Sequence, residues 1–204
     1  MERKEGVEKL KLLIGKDIRQ LVDKYGVSFE ANGHINKGWF GHTLEHYLGL
    51  PTNSSQSPNF GSWELKSIPM KKLSNGKIVP KETMAITMID PYEVLQKDFY
   101  SSHLYSKLCK MVVVSSLFVN KQETSRILLD VKEFDLTNKE LLKDIENDYN
   151  IVREMIKTKG FEFLTGKMGK YIQPRTKGAG HGSTSRAFYA RKNLIGIILQ
   201  QNCN

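Results

Sequence analysis

Residues 59–66 read Asn-Phe-Gly-Ser-Trp-Glu-Leu-Lys, and this octet determines how the rest of the chain is interpreted. Side chains two residues apart on a β-strand point to the same face, so Glu64 and Lys66 are expected to lie side by side. A carboxylate and an ammonium group beside a Gly/Ser-rich turn can hold a divalent metal ion and polarise a water molecule. Such sites usually carry another carboxylate just upstream, where this chain has the amide of Asn59. Alone, the pair is weak evidence, because any exposed strand can carry Glu and Lys.

Hydrophobic periodicity on both sides of the octet predicts helices that alternate with strands. The expected helices span 7–25, 38–49, 102–110, 138–159 and 192–201, and the expected strands span 63–68, 84–89, 111–119 and 127–134. Pro69 is expected to end the first strand, and Ser74-Asn75-Gly76 indicates a hairpin turn. This pattern predicts an α/β (α+β) fold with a mixed β-sheet. One domain over 1–204 is expected, with a division into lobes at 1–160 and 161–204 as the alternative.

The composition is that of an ordinary soluble protein, with 204 residues, 39% hydrophobic and 26% charged. No apolar run approaches the roughly 18 residues that a membrane span needs, and the charged N-terminus lacks a secretory signal. Cys109 and Cys203 are far apart and have no metal-ligand spacing, which favours a reducing compartment. We therefore expect a cytoplasmic protein without a membrane partner.

The net charge of +9 is concentrated towards the C-terminus. Residues 164–204 contain seven Lys and Arg residues and no Asp or Glu, whereas Asp130–Asp148 is rich in acids. A one-sided basic surface of this kind indicates a polyanionic partner, most often nucleic acid. The alternative is a solvated basic surface that has no partner.

Five blocks of sequence, which occur in order along the chain, strengthen the catalytic interpretation of residues 59–66. They are Gly38-Trp39-Phe40-Gly41-His42-Thr43-Leu44-Glu45, Asn59 with Glu64-Leu65-Lys66-Ser67-Ile68-Pro69, Ser102–Leu108, Tyr171–Lys177 and Arg186–Asn193. Together they resemble the MutH and GATC-cutting restriction endonuclease family, part of the PD-(D/E)XK nuclease superfamily. The resemblance implies a restriction-endonuclease-like fold with a cleft for double-stranded DNA. It also implies a Mg²⁺-dependent DNA endonuclease, with Mn²⁺ or Ca²⁺ able to substitute in binding.

The resemblance assigns roles to the catalytic blocks. Asn59, Glu64 and the carbonyl of Leu65 take the positions of metal ligands, and Lys66 takes the position of the lysine that orients water. Glu45 supports the metal or the lysines, and Lys107 contacts the phosphate or the attacking water. The alternative for Glu45 is a surface glutamate of its helix.

The resemblance also assigns DNA contacts. Arg175 and Lys177 match residues that reach DNA, and such side chains suit the guanine edge in the major groove. Tyr189 matches an aromatic residue near the adenine of the recognition sequence. Contacts to the DNA backbone are expected from Arg186, Arg191 and Lys192. His103 lies four residues before Lys107 on one helix face and is expected to pack or to face a phosphate rather than to bind the metal. The Gly-rich run 178–182 suits a loop that becomes ordered on DNA.

Asn59 departs from the family pattern, in which an Asp is the main metal ligand. Three explanations are open: an Asp→Asn change introduced to trap an uncleaved DNA complex, a naturally inactive DNA-binding relative, or a carboxylate supplied from elsewhere, with Asp90 as the nearest candidate. The first is favoured because the other members of the site are all present. A restriction enzyme is favoured over a mismatch-repair nickase, since no added docking segment is evident. The enzyme is expected to act as a monomer or as a transient dimer on DNA.

Overall fold

The computed structural model describes residues 1–31, 33–50, 57–120, 122–178 and 184–200. Within these ranges the helices are α1 Arg3–Lys11, α2 Trp39–Tyr47, α3 Pro91–Gln96, α4 His103–Leu108, α5 Lys139–Thr158 and α6 Lys192–Gln200. The strands are β1 Glu30–Ala31, β2 His34–Ile35, β3 Glu64–Lys72, β4 Ile78–Pro80, β5 Met84–Met88, β6 Lys110–Phe118, β7 Arg126–Asp135, β8 Ile172–Thr176 and β9 Arg186–Ala190. No helix in these ranges is long and apolar enough to cross a membrane.

The strands form the expected mixed arrangement. The larger sheet has the order β4-β3-β6-β7, in which β3 and β6 are parallel and the outer pairs are antiparallel. A second sheet, β5-β9-β8, is antiparallel throughout. The two strands of the basic C-terminal segment therefore share a sheet with β5 from the middle of the chain. The α+β fold class predicted from the sequence is confirmed.

The packing of β6 on both faces explains why its sequence is apolar without alternation. Met111 and Val113 face one hydrophobic cluster, with α5 and α6, while Val112 and Val114 face a second cluster, with α1 and α2. A strand that is covered on both faces reads as a continuous apolar run. The prediction of a buried central strand at 111–119 is thereby confirmed, and β6 becomes the axis against which β3 is aligned.

The predicted helix at 7–25 is wrong. Helix α1 ends at Lys11, and a short 3₁₀ helix follows at Ile18–Leu21. Gly15 has a φ of +81°, and its N–H donates to the carbonyl of Leu128 on β7. The chain therefore leaves the helix to dock on the sheet edge, while its apolar residues stay buried and mimic one continuous helical stripe.

Pro69 does not end the first strand, which continues to Lys72. The carbonyl of Pro69 accepts from the backbone N–H of Lys81, just after β4 ends at Pro80. The N and O atoms of one residue point to the same side of a strand, so the nitrogen of Pro69 also faces Lys81. Because Lys81 lies beyond the end of β4, the missing N–H group of the proline interrupts no hydrogen bond within the paired strands. Helix α3 was not predicted from the sequence, although Asp90 before Pro91 is a favourable start.

Candidate active site

Glu64 is the centre of a cluster formed by three separate segments. It opens β3 and its side chain is fully buried. Its Oε1 lies 2.6 Å from Nζ of Lys66 and 3.4 Å from Nζ of Lys107, and its Oε2 accepts from the backbone N–H of Asn59 at 2.8 Å. The contact between Glu64 and Lys66 shows that both side chains use the same face of β3, as their spacing predicts.

Parallel pairing brings Lys107 into this cluster. Glu64 is in register with Met111 of β6, and Lys107 lies in the last turn of α4, just before that strand. Helix α4 is fixed at its start by Ser102, whose side chain accepts from the backbone N–H of Tyr105. The helix therefore ends with Lys107 directed at the start of β3.

Asn59 links Glu64 to Glu45. Its Nδ2 donates to Oε1 of Glu45 at 2.8 Å, while its Oδ1 is buried and has no hydrogen-bond partner among the described residues. Helix α2 holds Glu45 in place by burying Trp39, Phe40 and Leu44 on its other side. The N–H group of the Asn59 amide thus satisfies Glu45, and its buried Oδ1 is available as a ligand atom for a cation.

Burial perturbs the ionisation of this cluster. It raises the pKa of Glu45, which the nearby charge of Lys66 partly offsets. It lowers the pKa of Lys107, against the opposing attraction of Glu64. The pKa of Lys177 is lowered by burial and then by the charges of Lys66 and Lys107. Lys177 therefore lies close enough to the two site lysines to experience their charges.

An open cleft of about 640 Å³ connects the cluster to the C-terminal strands. Its lining includes Glu45 and Lys66 from the cluster and Arg175, Lys177 and Tyr189 from the C-terminal segment. Leu65 also lines the cleft. Arg175 donates to Oγ1 of Thr83 at 2.9 Å and lies over the ring of Tyr189, 5.7 Å from its centre. The structure thus brings together all five candidate catalytic residues and three of the candidate DNA contacts.

The four other candidate DNA residues do not line this cleft. Nη2 of Arg191 donates to the carbonyls of Gly166 and Met168, and Arg186 donates to the carbonyl of Thr184. His103 starts α4 beside Glu93, and Lys192 starts α6 on the surface. In the Gly-rich run, residues 179–182 lie outside the described residues.

Several residues of the cleft were not predicted from the sequence. Lys37, Gly38 and His42 come from the start of α2 and the turn before it, Glu82 and Thr83 precede β5, and Arg126 begins β7. Within the Gly38–Glu45 block, the sequence predicts a site role for Glu45 only. Arg126 gave no signal, because a single basic residue at the start of a strand is common.

Asp90 does not replace the missing carboxylate. Its side chain accepts from the backbone N–H groups of Tyr92 and Glu93 and so caps α3. In the part of the chain that the structure describes, no three His, Cys, Asp or Glu side chains are gathered as a metal site. The oxygen groups gathered at the cluster are the carboxylates of Glu45 and Glu64 and the amide of Asn59, whose buried Oδ1 has no hydrogen-bond partner among the described residues. An oxygen-rich set of this kind fits a hard divalent cation, although with less negative charge than three carboxylates would give.

Comparison with known proteins finds a match to one family model and to several DNA-acting relatives. A family model described as the DNA mismatch repair enzyme MutH matches residues 48–148, which include Asn59, Glu64, Lys66 and Lys107. The chain is 28% identical over 177 residues to the DNA mismatch repair protein MutH of Shewanella woodyi, which covers 86% of this chain and 75% of that protein. The MutH protein of Vibrio parahaemolyticus is 26% identical, with 90% and 80% covered.

A restriction enzyme is also among the relatives. The type II restriction enzyme Sau3AI of Staphylococcus aureus is 25% identical over 159 residues, which cover 76% of this chain and 32% of that enzyme. The alignments to both kinds of protein extend over most of the chain. The resemblance of this chain to the MutH and GATC-cutting family of PD-(D/E)XK-type DNA endonucleases is thereby confirmed.

Proposed function

We propose that this protein is a Mg²⁺-dependent endonuclease that cuts double-stranded DNA at a short GATC-like site, as a type II restriction enzyme does, and that Asn59 weakens or abolishes this activity. The observation that carries the proposal is the cluster of Glu45, Glu64, Lys66 and Lys107, because Glu45 and Lys66 border a cleft that is also lined by basic and aromatic side chains of the C-terminal segment. Chemistry and recognition would then share one cleft.

Three groups would hold the metal: Oδ1 of Asn59, the carboxylate of Glu64 and the carbonyl of Leu65. A bound Mg²⁺ would neutralise charge on the phosphate and make the attacking water more acidic. Support for this assignment comes from the unpartnered Oδ1 and from the burial of Glu64. Because Asn59 brings no negative charge, the metal affinity should be low.

Lys66 and Lys107 would supply the hydrogen-bond donors for the phosphate and the attacking water. Lys66 and Lys107 pair with Glu64 and are oriented before substrate arrives. When an anionic phosphate enters, each Nζ can donate to a phosphate oxygen or to the attacking water. The lowered pKa of Lys107 makes its proton easier to transfer than that of an exposed lysine. Glu45 acts through Asn59, whose amide it orients.

The cleft wall of Arg175, Lys177 and Tyr189 would select the DNA sequence. Hydrogen bonds to base edges from Arg175 and Lys177 give sequence preference, whereas contacts from Arg186 and Lys192 to backbone phosphates give affinity. His103 and Arg191 remain candidates for phosphate contacts, and Arg191 would have to exchange its present carbonyl partners for them.

Two alternatives have specific support. A mismatch-repair nickase is supported by the MutH names of two of the relatives described above. A DNA-binding module without catalysis is supported by the amide at position 59. Both use the same cleft, so they differ from the main proposal only in what happens to the DNA strands.

Incubation of the protein and of Asn59→Asp with supercoiled plasmid, Mg²⁺ and either methylated or unmethylated GATC sites tests the proposal. We expect Asn59→Asp to give linear product at specific sites. Nicked circles alone would support the nickase, and sequence-specific binding without cleavage by either protein would support the binding module. Asn59→Asp combined with Glu64→Gln is the matched control, since it should keep DNA binding and lose cleavage.

A further inference from the structure

Arg126 is a buried cation that forms no ion pair with a carboxylate in the described part of the chain. It is 5% exposed, its Nε donates to Oγ of Ser116 at 2.6 Å, and its Nη2 is buried without a hydrogen-bond partner among the described residues. Its guanidinium carbon lies 4.0 Å from the ring centre of Phe40 and 5.0 Å from that of Phe118. Aromatic faces hold a guanidinium in place without neutralising it. Buried charges are otherwise almost always paired.

The position of Arg126 shows where a partner could come from. Its side chain lines both the active-site cleft and a neighbouring side pocket of about 800 Å³, whose walls include His34, Trp39 and Phe118. Lys37, Pro69 and Glu82 also border both cavities, so the side pocket is an extension of the cleft.

Charges in the side pocket leave Arg126 available for an anion. Lys81 and Glu123 form an ion pair with each other. The charges of Glu82 and Glu123 both favour the ionised guanidinium, but neither carboxylate forms an ion pair with Arg126. Burial still dominates and lowers the pKa of Arg126 to about 10, so the side chain remains charged at neutral pH.

From this geometry we propose that Arg126 forms a second phosphate subsite, in which the side pocket receives a backbone phosphate of bound duplex DNA beyond the cluster around Glu64. A guanidinium offers planar, paired N–H donors that match phosphate oxygens. Among the described residues, only the Nε donor of Arg126 has a hydrogen-bond partner. The identity of the anion as a DNA phosphate rests on the proposed function. Inorganic phosphate shares the same chemistry and serves as a separate probe.

Arg126→Met and Arg126→Lys test the subsite. Replacement of a buried charge by an apolar side chain of similar length is often neutral or stabilising, so Arg126→Met should keep or raise the Tm. Its affinity for a duplex that contains the cleavage site, measured by fluorescence anisotropy in EDTA, should fall roughly tenfold, and the slope of log K against log salt should decrease by about 0.9. Arg126→Lys should retain part of both. Arg153→Met is the control, because Arg153 bonds the carbonyl of Leu95 away from the cleft.

The anion itself is tested by heat stability. Millimolar inorganic phosphate should raise the Tm of the parent protein and not that of Arg126→Met. If phosphate stabilises only the parent but DNA affinity and salt slope are equal in both, the pocket takes free phosphate and the DNA assignment is overturned. If neither measurement differs, Arg126 is a packing residue and the subsite is refuted. A parent protein that binds no DNA would refute the proposed function, while the phosphate comparison would still decide the anion site.

Discussion

Asn59→Asp is expected to make the metal-free protein less stable and, at the same time, dependent on divalent cations. In the structure Nδ2 of Asn59 donates to Oε1 of Glu45 at 2.8 Å. An aspartate at this position would place a second carboxylate against Glu45 in place of an N–H donor. The hydrogen bond would become a repulsion unless a proton or a cation came between the two groups.

The size of this effect follows from the geometry. Two like charges about 3 Å apart repel by about 5 kcal/mol at an effective dielectric constant of 20, which is an upper bound. A shared proton and the nearby lysines reduce this, so we expect a loss of roughly 1–3 kcal/mol at pH 8. For a chain of this size, that corresponds to a decrease in Tm of about 2–12 °C. A cation at 100 times its Kd would return about 2.7 kcal/mol.

Thermal unfolding in EDTA and in a Ca²⁺ series measures both effects, because Ca²⁺ should bind without supporting cleavage. We expect Ca²⁺ to raise the Tm of Asn59→Asp by several degrees and that of the parent by far less. Asn75→Asp, in the exposed turn after β3, is the matched control for the added charge. Equal Ca²⁺ responses of the parent and Asn59→Asp would refute the assignment of position 59 as a metal ligand.

Three further predictions concern stability and recognition. Burial raises the pKa of Glu45, so this group stabilises the fold below its unfolded pKa of 4.5 and loses that contribution as pH rises through the raised pKa. Glu45→Gln should therefore raise the Tm at pH 8, and the difference in Tm between variant and parent should disappear below pH 4.5. An equal difference at both pH values would contradict the argument from burial. Asp148 accepts the backbone N–H groups of residues 170–172, so Asp148→Ala should cost about 3 kcal/mol or more, whereas Asp144→Ala on the exposed side of the same helix should cost under about 1 kcal/mol in chemical denaturation. Lys177→Ala should lose preference for the specific duplex in competition binding, while Lys192→Ala should lower affinity for all duplexes alike; equal losses on specific and random DNA would remove Lys177 from base reading.

Much of the fold could be predicted because its signals are local. Asn138 caps α5 and a strong apolar stripe follows it, so the long helix was predicted almost to its ends. The N-terminal helix failed for a tertiary reason. Leu13 and Ile18 are buried whether or not the chain is helical between them, and only the hydrogen bond of Gly15 to β7 decides the break.

The site divides in the same way. Glu64 and Lys66 follow from strand geometry alone, and the positions of Asn59, Glu45 and Lys107 followed from the resemblance between ordered blocks. Arg126 could not be found from either source. Its significance depends on two aromatic rings from other segments and on the absence of a carboxylate partner among the described residues, which only packing reveals.

The parallel pairing of β3 with β6 determines when, during folding, the cluster around Glu64 is assembled. Lys107 reaches Glu64, 43 positions earlier in the chain, through a pairing that skips two intervening strands and two helices. Non-local pairings of this kind form late, after the entropy of closing a long loop has been overcome. The charged cluster is therefore assembled only in a chain whose central sheet is complete. Nascent chains and proteolytic fragments that lack either strand would carry the same residues without the assembled cluster.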